Sequence, residues 1–140
     1  MDKPKQMIVM RRDLKMRKGK IAAQAGHACV TAVLAALARE QRLEQVQADE
    51  NGVALCESTQ PATPLSEWFS RGVAKVCVYV DSEEELLAID RKAKEVGILS
   101  ALICDNGLTE FHGQPTYTCL AFEPALPEKV DLITGELPLF

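Results

Sequence analysis

Four short apolar runs limit what this chain can fold into. Residues 6–12 (QMIVMRR), 73–80 (VAKVCVYV), 98–104 (ILSALIC) and 116–122 (TYTCLAF) are bulky and apolar at their centres and too short for buried helices. Each is expected to be a strand. The intervening sequence is of a different kind. Residues 20–42 are rich in Ala, Leu and Val, with no Pro and with Gly26 alone, and predict one long helix. Residues 81–85 (DSEEE) set capping side chains and three carboxylates ahead of an amphipathic stretch that ends at Val96-Gly97, with Arg91, Lys92 and Lys94 late, as the helix dipole favours. That acidic cluster therefore predicts a helix start, not a metal site. Shorter helical turns are expected at 65–69, where Trp68 is expected to pack on the core, and at 127–132.

Strands alternating with helices over 140 residues predict a three-layer α/β/α sandwich around a four-stranded mixed sheet, with 1–140 as a single domain. Strands joined through helices are expected to run parallel, and the third and fourth strands, joined by a loop, antiparallel. The 73–80 run, apolar on both faces, is expected in the sheet's interior. Residues 43–64 mix charges with Asn51-Gly52, Pro61 and Pro64 and predict an irregular connection.

Composition narrows the class. At 47% hydrophobic and 26% charged, the chain is expected to form an ordinary soluble globule. It contains no run of roughly 20 uninterrupted apolar residues, and its basic start lacks the apolar core of a signal peptide. The expected location is the cytoplasm, away from membranes. The five cysteines, at 29, 56, 77, 104 and 119, form no CxxC pair and are expected to be free thiols, with 77, 104 and 119 buried as small hydrophobes. Charge is unevenly distributed. The first 20 residues hold eight basic and two acidic side chains, a net +6, whereas the other 120 hold eight basic and 18 acidic, a net −10. Such a cationic end offers a local phosphate-binding patch despite an overall charge of −4.

On the long helix, Lys20, Gln24, His27 and Thr31 recur at i, i+4, i+7 and i+11 and so share one face. Lys20 falls in the first helical turn, where the dipole disfavours a cation. A carboxylate facing it would offset that repulsion, and by position the best candidate is Asp105, where the third strand ends and loops gather. Taken alone, Asp105-Asn106-Gly107 reads first as an Asx turn. No GxSxG elbow, P-loop or GxGxxG is present, and His27 and His112 are not at metal-ligand spacing.

The blocks RRDLKMRKGKIAAQAGHA (11–28), VYVDSEEELL (78–87), LICDNGLTEFHG (102–113) and TGELPLF (134–140) together resemble the archaeal and eukaryotic type of peptidyl-tRNA hydrolase, the type 2 family, which also has bacterial members. Arg17, Glu110 and Glu123 stand where that family commonly has a glycine, a glutamine and a small residue. The resemblance implies an α/β/α homodimer that hydrolyses the ester between a peptide and the 3′ end of tRNA, with neither metal nor organic cofactor. By position it assigns Lys20, Asp105 and Thr109 to the catalytic cluster. It assigns Gln24, His27 and Thr118 to the lining of that site, and Lys15 and Lys18 to a rim facing tRNA. The alternative is a noncatalytic RNA-binding or protein-interaction homodimer that keeps the fold.

Overall fold

The structure is a computed structural model that describes residues 2–107 and 110–140. Thr109, one of the expected catalytic residues, lies outside the described residues. The central sheet has the order β4-β1-β6-β5, formed by β1 (Gln6–Arg11), β4 (Lys75–Val80), β5 (Ser100–Asp105) and β6 (Thr116–Phe122). β1 runs parallel to β4 and antiparallel to β6, and β5 runs antiparallel to β6, so the sheet is mixed as expected. Helix α1 (Lys18–Arg39) covers one face; α3 (Glu83–Glu95) and α4 (Pro127–Thr134) cover the other.

Alternation along the strands builds the two core layers. Ile8, Met10, Ala101, Ile103, Cys119 and Ala121 point toward α1 and meet Ala28 and Ala32, whose small side chains let the helix lie close to the sheet. Met7, Val9, Val78, Val80, Leu120 and Phe122 point the other way, onto Leu86, Ile89 and Ala93 of α3 and Val130 of α4. α3 begins where the sequence indicated. The Ser82 hydroxyl accepts from the Glu85 N–H at 3.1 Å, and Glu83, Glu84 and Glu85 occupy the first turn. α1 is long and apolar enough to cross a bilayer, but its Gln24, Ala28, Ala32, Ala36 and Leu37 face is buried within the fold.

The structure corrects four expectations. First, residues 43–63 contain regular elements where an irregular connection is expected. After a 3-10 turn (Leu43–Gln45), β2 (Val46–Asp49) and β3 (Gly52–Leu55) form an antiparallel hairpin whose two turn residues are Glu50 and Asn51. Buried Arg42 anchors this segment: its guanidinium donates to the Glu40 carboxylate at 2.8 Å and to the Pro61 carbonyl at 2.7 Å. Second, the 73–80 run forms an edge strand, not an interior one. Its outer edge is covered by the chain's own end, where Tyr79 N donates to the Pro138 carbonyl at 3.1 Å and Phe140 N to the Cys77 carbonyl at 3.0 Å. A run apolar on both faces thus marks coverage of the faces and leaves the position in the sheet open. Third, α1 ends at Arg39, because Gln41 adopts a left-handed φ of 57° that a helix cannot continue. Fourth, Cys104 is exposed and Cys77 half-buried, whereas Cys119 is fully buried and its thiol is pushed up to about 12 by that burial.

α2 (Pro64–Ser70) is a short helix with a complete capping box between Thr63 and Ser66. It buries Trp68, whose indole N–H donates to the Ala74 carbonyl at 2.8 Å, so the lone tryptophan is a packing residue.

Candidate active site

The site forms where β5 ends against the first turns of α1. Arg17 is the N-cap of α1 and has no side-chain capping bond, and the first turn holds no acid, so the helix start has a surplus of positive charge. The balancing carboxylate comes from β5. Lys20 Nζ donates to Asp105 Oδ1 at 2.9 Å, with the two side chains only 14% and 11% exposed. Asp105 Oδ2 accepts from the Gly107 N–H at 2.9 Å. The two readings of Asp105 are therefore both correct: one oxygen closes an Asx turn and the other meets the lysine. Lys20 above all, with Gly107 N–H, holds the Asp105 carboxyl below its ordinary range against the upward push of burial.

Gly107 is required by this geometry. Its φ is +82°, and a Cβ on it would lie 2.3 Å from the Gln114 carbonyl oxygen. The connection from β5 to β6 is pinched at this point. It turns back through Phe111–Gln114, where Gln114 N donates to the Phe111 carbonyl at 2.9 Å and both central residues, His112 and Gly113, have positive φ, a type I′ turn. The fixed loop base aims Asp105 at α1.

Gln24, one turn after Lys20, is buried and bridges the site to the sheet. Its Nε2 lies 3.4 Å from Asp105 Oδ1, and its Oε1 accepts from the Thr118 hydroxyl at 2.6 Å. Simple alternation would put Thr118 on the α3 side with Leu120. A β-bulge changes this. Ile103 pairs with Cys119 but Cys104 pairs with Tyr117, which leaves Thr118 as the extra residue. Thr118 and Cys119 consequently both face α1, and the Cys119 thiol lies 3.5 Å from the Gln24 carbonyl oxygen. Thr118 is fully buried and meets the site through Gln24. The Thr116 hydroxyl instead donates to the Gln114 carbonyl at 2.9 Å.

The remaining expected residues lie outside this hydrogen-bonded set. The His27 side chain is exposed without a hydrogen-bond partner among the described residues, while its carbonyl accepts from the Thr31 hydroxyl at 2.8 Å. Lys15 and Lys18 are exposed on the loop and first turn that lead to Lys20. Arg17 between them is also exposed. Arg11 and Arg12 belong to the same basic segment but are committed elsewhere. Arg11 pairs with Asp13 at 2.7 Å and donates to the Tyr117 carbonyl; Arg12 donates two bonds of 2.9 Å to Asp81, with its guanidinium 4.0 Å from the centre of the Tyr79 ring. The sequence reading passed over Phe111, whose ring centre is 5.9 Å from Lys20 Nζ. Among the described residues, no three His, Cys, Asp or Glu side chains converge as a metal-binding group.

Fold and site together define the class: an α/β/α sandwich whose polar centre, at the carboxyl end of a strand, offers a carboxylate to accept a proton from water and an ammonium to donate to an oxygen. The family model for peptidyl-tRNA hydrolase PTH2 matches residues 4–140. A peptidyl-tRNA hydrolase from Methanopyrus kandleri is 38% identical over 135 residues, covering 96% of this chain and 97% of its own. One from Thermococcus onnurineus is 39% identical over the same length, covering 96% of each chain. A solved structure of a protein of unknown function from Agrobacterium tumefaciens strain C58 covers 100% of this chain and 99% of its own, with a TM-score of 0.55 at 18% identity, and shares the fold. The chain belongs to the peptidyl-tRNA hydrolase PTH2 family.

Proposed function

We propose that this chain is a cytoplasmic peptidyl-tRNA hydrolase, acting as one domain that cleaves the ester between a peptide and the 3′ ribose of tRNA. The observation that carries the reading is the contact between Lys20 and Asp105 at 2.9 Å in a largely buried site. Water attacks the ester carbonyl carbon, and Asp105 accepts its proton while Lys20 donates to the developing oxyanion. Collapse of the tetrahedral intermediate breaks the bond to the ribose oxygen, which takes up the proton from Asp105 and leaves as the tRNA 3′-hydroxyl; the peptide leaves as a carboxylic acid that releases its proton to solvent and becomes a carboxylate. Because Lys20 keeps Asp105 a weak base, alignment of the water supplies much of the acceleration. Gln24, held by Thr118, fixes the carboxylate's direction. By the family resemblance Thr109 is assigned the part of directing that water through its hydroxyl.

Lys15, Lys18 and their neighbour Arg17 contact tRNA phosphates in this reading, a role supported by their exposure beside the site. Self-association as a homodimer is supported by an apolar groove of about 370 Å³ along α1, flanked by the exposed Val30 (55%) and Leu34 (50%). Light scattering of the purified chain tests that state: a mass of two chains is expected, and one chain's mass would reject it.

Complementation tests the activity. A strain deficient in peptidyl-tRNA hydrolase is expected to be rescued by the wild-type chain and not by Asp105→Asn. No rescue by an expressed, folded wild type would favour a noncatalytic RNA-binding module.

A further inference from the structure

Lys20 is bracketed by two side chains from the same connection. Asp105, where β5 ends, lies on one side, and Phe111, six residues later, supplies a ring whose centre is 5.9 Å from Nζ. The ring is half-buried and packs on the core layer that also includes Leu14, Ile21 and Met16, so the loop is anchored through it as well as through the pinch at Gly107 and the type I′ turn at 111–114. A cation about 6 Å from a ring centre is attracted to the ring's electron-rich face, more strongly where water is excluded. At 14% exposure, Lys20 is in such a setting.

We propose that Phe111 is a positioning residue: it acts through Lys20, holding the ammonium against Asp105 and shielding the ammonium from bulk water on the ring's side. The inference rests on the hydrolase reading and adds a residue that needs no contact with substrate. Its requirement is an aromatic ring, since an aliphatic side chain of similar bulk fills the core but has no electron-rich face. Phe111→Leu and Phe111→Tyr separate the two contributions. If the ring acts on the ammonium, Leu lowers kcat about threefold to tenfold, in keeping with a cation–aromatic contact, with KM within twofold, and Tyr restores most of the loss.

The experiment is a double-mutant cycle on the full chain, read by hydrolysis of N-acetyl-aminoacyl-tRNA, with thermal unfolding followed for every variant. Phe111→Leu is expected to slow the wild type and to have no further effect in a Lys20→Ala background, because the ring then has no cation to hold. Independent, multiplicative losses in the two backgrounds would overturn the proposal, as would full activity of Phe111→Leu. A second readout is independent of catalysis. The Lys20 ε-methylene proton signals are expected to be shifted upfield by the ring in wild type and to return in Phe111→Leu; their insensitivity to the change would refute the contact. An inactive wild type would sink the hydrolase reading and this inference with it, whereas an active wild type with an indifferent Phe111 would sink the inference alone.

Discussion

Replacing Lys20 with Met removes the ammonium while keeping a long unbranched side chain. Exposed ion pairs contribute about 0.2–1 kcal/mol, and breaking a deeply buried pair costs about 3–5 kcal/mol. The Lys20–Asp105 pair is bonded at 2.9 Å, is nearly nine-tenths buried, and leaves Asp105 still held by Gly107 N–H and Gln24. An intermediate loss of about 2 kcal/mol at neutral pH is therefore expected. Its pH dependence has a definite sign. The folded Asp105 carboxyl lies below its ordinary value chiefly because Lys20 donates to it, so the pair stabilises the fold fully above the unfolded value of about 3.9 and loses that contribution as pH falls through the lower folded value. Urea unfolding should show a gap of about 2 kcal/mol between wild type and Lys20→Met at pH 7 that closes as pH drops below about 4. In single-turnover hydrolysis of N-acetyl-aminoacyl-tRNA, loss of the oxyanion donor should slow cleavage by about 10²–10³. Cleavage within twofold of wild type, or a stability gap that persists in acid, would refute this reasoning.

Other perturbations separate chemistry from support. Thr118→Val strips the donor from buried Gln24 Oε1 and should cost about 1–3 kcal/mol in chemical unfolding, with a fall in kcat and little change in KM. Gly107→Ala forces a Cβ into the Gln114 backbone at a left-handed φ and should cost more than about 1 kcal/mol while depressing activity, both measurable on the same preparation. Glu123→Ala removes the acceptor for Leu99 N at 2.6 Å and the partner of Arg39; it should lower the urea midpoint while leaving single-turnover cleavage near wild type, because Glu123 lies at the far end of β6 from the site. In tRNA-binding titrations across salt, neutralising Lys15, Arg17 or Lys18 should each lower the log–log slope by about 1, whereas neutralising Arg11 or Arg12, already paired with Asp13 and Asp81, should leave it unchanged.

Much of the site was legible because local and long-range demands agreed. A lysine in the first turn of a helix is electrostatically misplaced unless a carboxylate faces it, and the end of the third strand was where one could stand; the 2.9 Å contact realises that argument. The bulge was hidden, since strict alternation assigns Thr118 to the face of Leu120 and no residue between 116 and 122 announces an extra one. The hairpin at 46–55 is masked by the charges around Asn51-Gly52, and its turn residues are Glu50 and Asn51 with Gly52 already paired to Asp49, one residue before the place an Asn-Gly turn would take. The edge position of β4 depended on where the last three residues dock, which a strand's own composition does not encode. Glu123 is accounted for by its bonds to Leu99 N and Arg39.

The central claim is that the Asp105 carboxylate, paired with Lys20, activates the water that cleaves the ester. Single-turnover release of the acyl group from saturating N-acetyl-aminoacyl-tRNA by Asp105→Asn, which keeps the side chain's shape, tests it most directly. The account predicts a rate at least about 10²-fold below wild type with tRNA affinity nearly unchanged; release at the wild-type rate by a folded Asp105→Asn would contradict it.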